Sequence, residues 1–174
     1  MPADPRPPMT DALDPAWGPW TDDLVAAVRG LDDGASLTVT APPGHERMAR
    51  SGSRLRWLLG GGRRPVAPFV RLVRAEDHLR GHWAGPQRAG GAFPWTREEE
   101  ERILAAGWHV PTAADGKDYL RFWPDDVPSG PFLPEADARR AATVVAATFR
   151  DVLGVTPDGG SPASGLPAVR HDTA

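Results

Sequence analysis

Cysteine is absent from the 174 residues. That excludes a disulfide frame, a thiolate metal site and a cysteine nucleophile. Long apolar runs are missing too, and nothing approaches the roughly 18 residues needed to span a bilayer. Charge of one sign is also lacking: 20 Lys and Arg stand against 23 Asp and Glu, for a formal net charge of −3. No global electrostatic pull toward nucleic acid or membrane follows. The first residues, MPADPRPPMTDALDP, have neither the basic start nor the apolar core of a signal peptide, so a cytoplasmic protein is expected. What is abundant is glycine (19), proline (20) and tryptophan (7), with an apolar share of 40% that is enough for one modest core.

The glycine and proline collect at the ends and in loops. Residues 1–16 read as a flexible arm, 17–155 as a single domain, and 156–174, rich in Gly, Ser and Pro, as a disordered tail. Trp20, Thr21 and Val25 have the spacing of a hydrophobic staple around an N-cap, opening a helix that stops at Asp33-Gly34. Residues 35–40 (ASLTVT) alternate as a strand. From His45 to Arg64 the pattern is ambiguous between helix, strand and long loop. Phe69–Ala75 and His78–Ala84 read as a hairpin about the turn Glu76-Asp77.

The best-marked stretch runs from Trp95 to Trp123. Thr96 and Glu99 have capping-box spacing, and Glu98 to Glu101 suit the positive end of a helix dipole. Gly107 supplies a left-handed stop, and Tyr119–Trp123 alternates as a strand. After a proline-punctuated linker, Pro134 opens the longest helix, to about Leu153, with Gly154 as its cap. Its apolar stripe is Ala138, Ala141, Ala142, Val145, Phe149, Val152 and Leu153. Strands joined by hairpin-length turns, with helices between them, give α+β: an antiparallel sheet packed by helices, with a long C-terminal helix.

Trp95-Thr96-x-Glu98 leading to Leu104, then Gly107-Trp108-x-x-Pro111, a polar loop and aromatics ending in Trp123, resembles the TY-Chap family. These are actinobacterial domains similar to type III secretion chaperones and to YbjN. The resemblance extends from the strand Phe69-Val70-Arg71-Leu72 to the helix ending near Val155, and its motifs carry no catalytic signature. It implies a chaperone-like fold, a partner protein or peptide as ligand, and a homodimer.

Candidate chemistry is sparse. His78 and His82 are four apart, near Glu76 and Asp77, but a strand separates them and no third ligand has a diagnostic spacing, so no metal or cofactor is expected. Gly60-Gly61-Gly62-Arg63-Arg64 lacks the Lys-Ser/Thr of a phosphate loop. No nucleophile elbow is present, and catalysis is not expected. Two binding surfaces remain. One is an aromatic sheet face built from Trp83, Tyr119 and Trp123, with Arg71 and Arg121 as a polar rim, holding a segment of a partner protein. The other is an anionic-partner patch of Arg47, Arg50, Arg54, Arg56, Arg63 and Arg64, which would take an acidic protein or, less readily, nucleic acid. A structural subunit of a larger assembly is a third reading. The expectation with the most behind it is a non-enzymatic, chaperone-like adaptor.

Overall fold

The computed structural model describes residues 17–50, 62–112, 116–125, 133–157 and 165–172. The expected arm, Arg54 and Arg56, and the linker after Asp125 lie outside these residues. Among the described residues the chain runs α1 (Gly18–Arg29), β1 (Ser36–Thr40), β2 (Arg47–Ala49), β3 (Arg64–Val66), β4 (Phe69–Ala75), β5 (His78–Trp83), α2 (Arg97–Ala105), β6 (Tyr119–Trp123), α3 (Glu135–Leu153) and β7 (Ala168–Asp172). Five strands form one antiparallel sheet in the order β6-β5-β4-β1-β7, and β2 pairs with β3 as a separate hairpin. The fold is α+β, as expected.

Local chemistry explains most element boundaries. The capping box on α2 is complete: Glu99 N–H donates to Thr96 Oγ1 at 3.2 Å, and Thr96 N–H donates to Glu99 Oε2 at 2.9 Å. Gly107 follows at φ +90°, where a Cβ would also overlap the Arg121 guanidinium. Pro134 is the N-cap residue of α3, and Gly154 ends that helix in the left-handed region. The apolar stripe of α3 is buried as its spacing predicts, with Ala138, Ala141, Ala142, Val145 and Phe149 fully covered. Only Ile103 of α2 is buried, whereas Leu104 is 42% exposed, so α2 rests on the core by one side chain.

The start of α1 differs from expectation. Trp20 and Thr21 lie inside the helix, whose N-cap is Trp17; Thr21 Oγ1 donates to the Trp17 carbonyl at 2.8 Å instead of capping. The reason is packing. Trp17 and Trp20 are three apart, and starting the helix early puts both on its buried face, edge to face at 5.3 Å. The ambiguous stretch resolves in part into the β2–β3 hairpin, tied in by a hydrogen bond from Arg50 N–H to the Ala92 carbonyl. The tail expected to be disordered from 156 onward instead supplies β7, an edge strand on β1.

The core lies between the sheet and the helices. Leu37, Val39, Val70, Leu72, Leu79, Trp83, Tyr119 and Trp123 point into it from the sheet, and Trp20, Leu24, Val28 and the α3 stripe meet them. Two exposed ion pairs, Arg29–Glu135 and Arg139–Asp22, link α1 to α3. Pairs of this kind contribute at most about 1 kcal/mol each.

Candidate functional site

Strand register sorts the expected site residues onto two faces. Trp83 pairs with Tyr119, Gly81 with Arg121 and Leu79 with Trp123, so these share one side of the sheet. That is the helix side. Trp83, Tyr119 and Trp123 are each 0% exposed, and in this structure they are core residues with no surface to offer a peptide. Trp83 stacks on Trp95 at 5.3 Å and meets Phe149 edge-on at 5.5 Å, while Trp123 meets Trp108 edge-on at 6.1 Å. Tyr119 is pushed up to about 12 by burial, with the Glu100 carboxylate adding to the effect. Among the described residues Trp83 Nε1 and Trp123 Nε1 have no hydrogen-bond partner, and the Tyr119 hydroxyl lies beside Arg88 and Glu100 without a well-formed hydrogen bond to either. Arg121 is no rim residue either. Its guanidinium donates to the Ala106 carbonyl at 2.8 Å and sits 5.6 Å from the Trp123 ring centre. A cation is thereby placed on the negative end of α2.

The physical reason is apolar area. The amphipathic stripe of α3 needs an apolar sheet face, and a strand face carrying three large aromatics is the one it covers. Period-two alternation grouped Trp83, Tyr119, Arg121 and Trp123 correctly, but Arg71, expected on their rim, lies on the opposite face, and alternation could not say which face the helices take.

The opposite face carries no described helix, although Ser36 and Leu120 on it are buried. Register lays Phe122, Arg80, Val73, Ser36 and Asp172 side by side across all five strands, and Leu120, His82, Arg71, Thr38 and Arg170 in the next row. Residues directly opposite one another on a face have Cβ atoms about 4.5–5.5 Å apart, close enough for like charges to destabilise. Here Arg71 faces His82 while Arg80 lies diagonally beside both. Arg71 is answered: it donates to Ser36 Oγ at 3.0 Å and stands 3.5 Å from the Asp172 carboxylate. The Nε of Arg80 is not, being buried without a hydrogen-bond partner among the described residues. Burial lowers the pKa of His82, and Arg80 and Arg71 lower it further, against the pull of Asp118. Burial likewise raises Asp118, whose carboxylate accepts from Gly85 N–H at 2.9 Å. Phe122 is 40% exposed at the margin of this cationic strip.

The strip contains what sequence reasoning missed. Arg80, Phe122 and Val73 carry no motif, although a hairpin closed at residues 76–77 already implies the register that sets Arg80 beside Val73. The expected arginine patch is not assembled in the same way. Arg47 is paired with Glu99 at 2.9 Å, Arg50, Arg63 and Arg64 are exposed around the β2–β3 hairpin, and Arg54 and Arg56 fall outside the described residues. His78 takes Asp77 at 3.2 Å, and no group of three metal-binding side chains gathers among the described residues. No described helix is long and apolar enough to cross a membrane.

A family model described as TY-Chap3, T3SS (YopN, CesT) and YbjN peptide-binding chaperone 3, matches residues 10–158. No curated protein and no solved structure gives a match.

Proposed function

The chain belongs to the TY-Chap3 family of peptide-binding chaperones, and from that premise we propose that it holds an extended, acidic and apolar segment of a partner protein on the helix-free face of its sheet. One observation carries this reading: among the described residues the buried Nε of Arg80 has no hydrogen-bond partner, and this cation is set between Val73 and Phe122 and beside a second arginine. A guanidinium nitrogen buried without a partner costs on the order of 1–3 kcal/mol or more. A partner carboxylate would remove that cost and the repulsion between Arg71 and Arg80 together. The flanking Phe122 and Val73 give the same segment apolar contact, and an extended strand has the alternation to use both.

The reading is chaperone-like because the pieces are generic. A cationic strip with apolar margins recognises a pattern of side chains, and nothing in it demands one sequence. Sites of this kind bind modestly and weaken with salt, since their charges are only partly buried.

The test uses a labelled synthetic peptide alternating aspartate with leucine, and a lysine–leucine peptide as control, followed by fluorescence anisotropy. The aspartate peptide should bind and the lysine peptide should not. Arg80→Met, which keeps the aliphatic stem, should weaken binding about tenfold, the equivalent of one charge-assisted contact near 1.4 kcal/mol. Equal affinity for both peptides, or no effect at Arg80, would remove the proposal.

A further inference from the structure

β7 is unlike the other strands of the sheet. Ala168 to His171 are exposed, and only Asp172 is half-covered. The apolar hold on this segment comes from the residues just before it, Pro167, which is buried, and Leu166, which is half-buried against the core. Two polar fastenings do the rest. The Pro167 carbonyl accepts from Trp20 Nε1 at 2.9 Å. The Asp172 carboxylate accepts from Ser36 Oγ at 2.9 Å and Thr38 Oγ1 at 3.0 Å, with Arg71 Nε 3.5 Å away. The family match ends at residue 158, so all of β7 lies beyond it. Within the matched residues β1 is therefore an edge, with one row of backbone N–H and C=O groups unpaired.

We propose that β7 is a displaceable occupant of a strand-binding edge, and that the edge of β1 with the Ser36–Thr38–Arg71 carboxylate receptor accepts an extended partner segment carrying Asp or Glu opposite Ser36. The receptor has the chemistry for this. Two hydroxyl donors and a guanidinium converge on one carboxylate, and all three are on β1 and β4, inside the family match. Backbone pairing along Ser36–Thr40 supplies contacts that any sequence can make, while the receptor supplies the selective one. The occupant is tethered, so its effective concentration is high and a partner must out-compete it. The edge is thereby shielded from indiscriminate strand pairing until a segment with the right carboxylate arrives. The inference rests on the peptide-holding reading above but places a different part of the partner, on the β1 edge beside the cationic strip.

Two measurements on the full chain test it. In the first, amide hydrogen exchange on the unaltered protein should show β7 opening as its own unit, with exchange about a hundredfold or more faster than in β4 and β5. A single shared rate would mean that β7 is an integral strand and would overturn the proposal. In the second, a labelled peptide GLPAVRHD, copied from residues 165–172, is added to the chain carrying Val169→Pro and Asp172→Ala. It should bind that variant and bind the unaltered chain at least about tenfold more weakly, since there the tethered strand competes. Replacing the aspartate of the peptide by asparagine should weaken binding to the variant. A variant that retains its near-ultraviolet circular dichroism and does not take up the peptide would refute the inference, and so would peptide binding indifferent to the aspartate. These outcomes are independent of Arg80: failure here with Arg80-dependent binding intact removes only the displaceable strand.

Discussion

Replacing Gly81 by alanine would place a Cβ 2.8 Å from Trp123 Cζ3 and 3.1 Å from Trp108 Cη2. Neither ring has room to retreat. Both are buried, they already meet edge to face at 6.1 Å, and Trp108 is fastened by its Nε1 to Thr148 Oγ1 at 2.9 Å. Overpacking of this degree costs about 1–3 kcal/mol. Against it, alanine reduces the freedom of the unfolded chain and returns about 0.4–1 kcal/mol. The net expectation is a loss of roughly 1–2 kcal/mol. With an m-value of about 1–3 kcal/mol per molar, a urea midpoint should fall by about 0.3–2 M. The cause can be isolated by repeating the substitution in a Trp123→Phe background, where the outer ring that makes the contact is gone. There the added penalty should shrink, a coupling expected only for side chains that touch. An unchanged midpoint for Gly81→Ala, or the same penalty in both backgrounds, would refute the packing argument.

Further expectations concern the other named groups. Trp123→Ala should cost about 3–5 kcal/mol, because it empties a fully buried site, and a cooperative melt should move accordingly; a variant of native stability would return Trp123 to the surface. Tyr119 is the one tyrosine of the chain, so the tyrosinate absorbance that appears as pH rises reports it alone and should place its ionisation at about 12. The unfolded phenol ionises near 10, so the unfolded state releases its proton first and stability should fall as pH rises from about 10 to 12; ionisation near 10 in the folded protein would contradict the burial. His82 should titrate below 6.5 by proton NMR, and the aspartate–leucine peptide should raise its pKa by adding negative charge beside it. Because the unfolded chain takes up that proton at higher pH than the folded one, the contribution of His82 to stability is lost as pH falls below 6.5.

How far the sequence reveals this molecule depends on whether a feature is local. The Thr96–Glu99 box, the Gly107 and Gly154 stops and the alternation of residues 119–123 are local, and each has the structural counterpart its spacing predicts. The β4–β5 hairpin is local as well. The helix-covered face of the sheet is not, because it depends on which apolar surface α3 meets. Reading Trp83, Tyr119 and Trp123 as a surface therefore failed, even though their grouping was right. The start of α1 was misplaced because Trp17 and Trp20 follow a buried face set by tertiary contacts, not the cap offered by Thr21. The strand β7 was invisible for the same kind of reason: AVRHD has no apolar alternation, and its pairing rests on β1 and on the reach of Asp172 to Ser36 and Thr38. Arg80 carried no motif at all. Its meaning comes from a buried Nε without a partner among the described residues, which only three-dimensional neighbours can show.

The central claim is that the helix-free sheet face, and not the aromatic core or the β2–β3 hairpin, is where a partner segment lies. Amide and side-chain chemical-shift mapping with the aspartate–leucine peptide tests this directly. Shifts centred on Arg71, Arg80, His82 and Phe122 that vanish in Arg80→Met are the predicted result. Shifts confined to Arg47, Arg50, Arg63 and Arg64, or to α1 and α3, would contradict it.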